Sequence, residues 1–128
     1  MSTASNNDTA LRQMRNLVLV DVPPNLASRL PRMVVDAAEM VMAANIDKMP
    51  EILATERPDM VISPLIGPKF DAIELAAQLG NAAFRGRLVV ICDKLPDPSL
   101  IRQELENQAL GFTVSLLVLG DKDRYIRV

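Results

Sequence analysis

The chain is 128 residues long, 49% hydrophobic and 3% aromatic, with a net charge of −2 and a pI near 5.1. That length suits one domain with one core, the apolar content excludes an intrinsically disordered chain, and the lack of any basic run argues against a nucleic-acid partner. With no histidine and a single cysteine, histidine acid–base chemistry, Cys–His dyads, an internal disulfide and the usual zinc sites are excluded.

Residues 1–15 are mostly small and polar and read as a frayed tail ahead of the domain. They lack the apolar centre of a signal peptide, and no apolar run approaches the roughly 18 residues of a membrane span, so a cytoplasmic protein without membrane contact is expected. LVLV at 17–20 is an unbroken apolar run, as are MVI at 60–62, LVVI at 88–91 and VSLLVL at 114–119. Strands buried on both faces have this look, and helix-like segments between them indicate parallel βα units.

The first helix opens at Pro24, where a missing N–H is harmless, and should break near Arg29 and Leu30 ahead of Pro31. EMVMAA at 39–44 reads as a short second strand. DKMPEILATE at 47–56 reads as a short helix with Asp47 as its cap. A third helix is expected from about Lys69 to Ala83, with Phe70, Ile73, Ala77 and Phe84 on one face and Gly80 weakening its end. A fourth spans about Asp97 to Ala109, with Ile101, Leu105 and Ala109 as its stripe and Gly111 as a left-handed stop. The charged turn GDKD at 120–123 separates VSLLVL from RYIRV, so residues 120–128 are an extension that can close as a hairpin strand.

Three segments carry a family likeness. LVLVDVPP, EMVMAANIDKMPEIL and PDMVISPLIGPKFDAIEL resemble successive pieces of a response-regulator receiver domain: the first strand with its acidic turn, the second strand and helix, and the third strand, loop and helix. Pro68 and Asp71 stand at family-like positions. The resemblance implies an α/β, three-layer, doubly wound sheet of five mainly parallel strands over 16–119. The strand order would be 2-1-3-4-5, flavodoxin-like, with the last helix replaced or missing.

The resemblance also says where the chemistry should be. The family's Mg²⁺-binding acidic pair falls at Asp21 and Val22, so half of it is gone. The phosphoacceptor aspartate falls at Pro64, a tertiary amide that cannot accept a phosphoryl group. The sensing hydroxyl falls near Cys92, and a thiol is a weak donor. The lysine that closes the fifth strand falls near Val118, with Lys122 too far along to replace it. Ser63 adjoins Pro64, but strand alternation turns it to the opposite face. What the resemblance implies is a degenerate receiver, a pseudo-receiver of a bacterial two-component system. It would have no catalysis, no metal and no cofactor, and would act through another protein, a further domain of the same polypeptide, or a homodimer.

Plainer readings stand beside these. Asp21 also fits a solvated turn residue, and Cys92 a small buried hydrophobe. DKLPDP at 93–98 fits a cap and turn as well as a recognition loop. MVVDAAEMVM at 33–42 fits core filling better than an adaptable binding surface. Glu104 and Glu106, two apart on a helix, diverge. A different class of function is a small-molecule-binding domain, with its ligand at the carboxyl edge near Asp21, Pro64 and Cys92. Finally, without a fifth helix the apolar fifth strand would need cover from a second copy or a partner.

Overall fold

The computed structural model describes residues 16–30, 38–93, 98–119 and 124–127. Each unbroken apolar run lies within a strand: β1 Asn16–Val20, β2 Met40–Ala44, β3 Met60–Pro64, β4 Arg87–Asp93 and β5 Thr113–Leu119. A sixth strand, β6 Arg124–Arg127, follows. The sheet order is β2-β1-β3-β4-β5-β6; the first five strands are parallel, and β6 pairs antiparallel to β5 with Leu116 opposite Ile126. This is the doubly wound order 2-1-3-4-5 with one strand added.

Alternation along the strands splits the core in two. Val18, Val20, Val61, Leu88, Val90, Val114 and Leu116 face one layer, under the described helices α2 (Met49–Thr55), α3 (Ala72–Asn81) and α4 (Pro98–Gln108). Leu17, Met60, Ile62, Val89, Ile91, Leu117 and Leu119 face the other, with Leu26 of the short helix α1 (Pro24–Ala27) against them. Every residue of β3 is buried, which is why its sequence shows no polar alternation.

Several helix boundaries differ from expectation. α1 has Pro24 in its first turn but stops at Ala27, with Ser28 as its C-cap, short of Arg29 and Leu30. The second helix is not capped by Asp47: Asn45 accepts from the Lys48 N–H, a 3-10 turn spans Ile46–Lys48, and α2 starts at Met49 with Pro50 in its first turn. α3 starts at Ala72 because the Asp71 carboxylate accepts the Glu74 N–H at 2.8 Å. Phe70 therefore packs from the loop before the helix and Phe84 from the loop after it, while Ala72, Leu75, Ala76 and Leu79 form the buried stripe. A side chain at Gly80 would reach 3.4 Å from the Gln108 carbonyl oxygen, so its weak helix propensity goes with a close approach of α3 to the end of α4. Gly111 takes φ +90°, the left-handed stop read from the sequence.

Two expectations about apolar surface change. Leu116, Leu117, Val118 and Leu119 are 0%, 3%, 6% and 0% exposed, so β5 is covered within the chain and needs no partner to hide it. Met40, in contrast, is not core filling: on the outer strand it is 38% exposed, beside Val41 at 43%. Residues 31–37 of the methionine-bearing stretch, 94–97 of the DKLPDP loop and the 120–123 turn lie outside the described residues, as does the 1–15 tail.

Candidate functional site at the carboxyl edge

Parallel strands bring the residues after each strand to one edge, where doubly wound folds place their sites. The register pairs Leu19 with Ile62 and Pro64 with Ile91, so Asp21 stands level with Pro64. Cys92 pairs with Val118 one step further on. The five positions singled out by sequence thus belong to neighbouring strand ends, but their side chains do not converge.

Asp21 is used by the main chain. Its N–H donates to the Ala44 carbonyl at 2.8 Å, and its carboxylate accepts the Ile46 N–H at 3.0 Å. It adopts φ 50°, a left-handed conformation that aspartate tolerates better than most residues. These bonds tie the end of β1 to the turn after β2. Val22 is partly buried against the apolar cluster on the α1 face. Cys92 and Val118, both 6% exposed, join the cluster on the opposite face.

Pro64 is buried at the end of β3. The Leu65 N–H donates to the Ile91 carbonyl at 2.9 Å, so the nitrogen of Pro64 turns the other way, toward β1. The β1–β3 register ends at Leu19 and Ile62, before that nitrogen would be needed. A proline that would break a central ladder is therefore accommodated at its end. Ser63 is fully buried on the opposite face, and its hydroxyl donates to the Pro64 carbonyl at 3.2 Å. It is no substitute acceptor.

A Mg²⁺ ion demands near-octahedral oxygen donors, normally including carboxylates. Of the five positions singled out by sequence, one is a carboxylate, Asp21, already accepting a main-chain N–H, beside the hydrocarbon of Val22 and Pro64. Among the described residues no three His, Cys, Asp or Glu side chains gather as a metal-binding group. The residues present do not fit the ion.

Two concavities open nearby. One, of about 710 Å³, lies between the ends of β1 and β2 and is lined by Asp21, Val22, Ala43, Asn45, Lys48 and Glu51 among others. It takes in Asp21 but not Pro64, Cys92 or Val118. The other, of about 420 Å³, lies between the β3–α3 loop and α4, against Leu65, Ile66, Phe70, Ile73 and Ile101. That loop is closed by a bridge between Ile66 and Asp71, and an exposed ion pair, Lys69 to Asp47 at 3.5 Å, reaches across from it. Of the ligand site expected near Asp21, Pro64 and Cys92, the first groove shares Asp21 alone; its Lys48 and Glu51 were not singled out, although they sit at i and i+3, a spacing that shares a helical face.

No family model matches this sequence, and no curated protein matches it. Solved structures do match in shape. The receiver domain of the response regulator NarL from Mycobacterium tuberculosis superposes with a TM-score of 0.60 at 18% identity, covering 80% of this chain and 82% of that one. The BeF3-activated N-terminal receiver domain of RstA from Klebsiella pneumoniae gives 0.57 at 17%, covering 80% and 85%. The chain has a receiver-like fold. Among the described residues no helix is long and apolar enough to cross a membrane.

Proposed function

We propose that this chain is a receiver-like signalling module that acts through contact with another protein or a second copy of itself, without phosphorylation, catalysis or bound metal. One observation carries the reading. The position level with Asp21 at the end of β3 is a buried proline, packed into the strand end with no nucleophilic atom. Val22, Cys92 and Val118 extend it, since each supplies an apolar or weakly polar group where a receiver needs a carboxylate, a hydroxyl and an ammonium. A cytoplasmic setting in a bacterial two-component system follows from the same reading.

The test is incubation with acetyl phosphate and Mg²⁺, followed by intact-mass measurement. No phosphoryl adduct is expected, and unfolding is expected to be indifferent to Mg²⁺. A hydroxylamine-labile adduct on any carboxylate would overturn the proposal.

The groove at Asp21 favours a second reading, a regulatory domain that binds a small molecule between β1 and β2. Native mass spectrometry of the purified chain separates the two. A retained ligand lost on Lys48→Ala substitution would support the second; a bare chain that captures a protein partner supports the first.

A further inference from the structure

β2 is the outer strand of the described sheet, unpaired on its outer side among the described residues, and that edge has definite chemistry. The Ala44 carbonyl accepts from Asp21, so Ala44 turns toward β1. A strand residue turns its N–H and C=O to the same side and its neighbours turn theirs to the other. Met40, Met42 and Ala44 therefore serve the β1 ladder, while Val41 and Ala43 present their main-chain groups outward. Both are exposed, Val41 at 43%. Edge strands are normally blunted by charge, proline or a bulge; MVMAA has no charged residue and no proline.

We propose that two copies of this chain join through β2, antiparallel about a two-fold axis at Met42, so that the sheet runs on from one subunit into the other. This rests on the reading that the module works by protein contact, and it assigns the contact to an edge of the sheet. Outward N–H and C=O groups at a two-residue repeat are matched by an extended chain, not by a helix. The strand is also self-complementary. Centred on Met42, Val41 of each copy lies opposite Ala43 of the other, and both turn outward, so about four hydrogen bonds form. Met40 lies opposite Ala44, so each larger side chain meets a smaller one. Glu39 lies opposite Asn45, so the two carboxylates do not meet. With β5 already covered within the chain, Met40 and Val41 are the neighbouring pair among the large exposed hydrophobic residues. The edge is about 17 Å long, which places the contact at the small end of specific interfaces and makes the dimer a weak, concentration-dependent one.

Sedimentation equilibrium of the full chain from about 10 µM to about 1 mM tests this, and a concentration-dependent dimer is expected. Val41→Pro removes an outward N–H and leaves the β1 ladder intact, so it should weaken the dimer at least tenfold while circular dichroism stays native. Val41→Lys makes the same test through charge should the proline variant fail to fold. Met42→Cys reports the register. Cys92 is buried, so mild oxidation should give a covalent dimer through position 42, whereas Ala43→Cys should not cross-link. A monomer throughout the range overturns the proposal. So does a dimer that ignores both Val41 variants and shows no cross-link at position 42; that result would leave the protein-contact reading standing, whereas phosphorylation in the acetyl phosphate test strikes the reading itself.

Discussion

At the amino ends of the strands, the Asn16 N–H donates to the Asp59 carboxylate at 3.0 Å and the Asn16 side-chain amide donates to the Glu56 carbonyl at 3.0 Å. The Arg87 guanidinium reaches the buried Ser115 hydroxyl at 3.1 Å, and the Asp59 main chain bonds to both Asn16 and Arg87. At the carboxyl ends the comparable strand positions hold Pro64, Cys92 and Val118, and the acid that remains, Asp21, is occupied with the Ile46 N–H. A working receiver concentrates its polar groups at the carboxyl end. Here polar side chains stand where they fix the register of β1, β3, β4 and β5, and among the described residues the ends of β3 and β5 at the other edge are apolar. The contrast separates two roles within one sheet: polar side chains fix register at the amino end, while Pro64, Cys92 and Val118 pack as apolar or weakly polar groups at the carboxyl end.

The sharpest way to break the contrast is to restore an acid at the apolar end. Pro64→Asp buries a carboxylate beside Ile91 without a partner, and should cost about 3 kcal/mol or more in urea unfolding. Burial raises that carboxyl's pKa in the folded state above its unfolded value of about 4. The loss should therefore be complete above the folded pKa and shrink as the pH falls. The variant should still take no phosphoryl group, since Val22 and Val118 remain. A stability unchanged at neutral pH would mean that this edge is wetter than its burial indicates.

The complementary change removes an acid from the polar end. Asp59→Ala strands the Asn16 N–H and should cost about 2 kcal/mol; Asp59→Asn, which keeps an acceptor oxygen, should cost clearly less. Equal losses for the two would show that charge, rather than the hydrogen bond, matters there. The smallest effect is expected at Asp21. Asp21→Ala loses the bond to Ile46 and places an ordinary side chain at φ 50°, so thermal unfolding should report a loss of about 1–2 kcal/mol, with Asp21→Gly about 1 kcal/mol milder. Neither change should alter the response to Mg²⁺.

The sheet was legible because doubly buried parallel strands leave continuous apolar runs, and four of those runs cannot be mistaken for turns. The level of Pro64 against Asp21 could be read from strand ends for the same reason. The start of α2 was misread because Asn45 and Asp47 are both good caps two residues apart; Pro50, which belongs in a first turn, was the signal that favoured the later start. The amino-end network was invisible because it depends on register: nothing in the sequence says that Asn16 and Asp59 meet across 43 positions. The exposure of Met40 was likewise hidden, since an apolar strand at an edge and one at the centre read alike until the order of strands is known.

The proline at the end of β3 also limits which residues that strand end can accept. Its ring occupies space in a closed strand end, and its nitrogen, having no hydrogen, requires no acceptor from β1. Aspartate placed here would introduce a buried charge and an unmatched N–H, with Val22, Cys92 and Val118 still supplying apolar or weakly polar groups at the neighbouring strand ends. The ring therefore acts as a lock on this strand end: any residue that restores a main-chain N–H here must also find that donor an acceptor, so change is tolerated more readily on the surface than at this position.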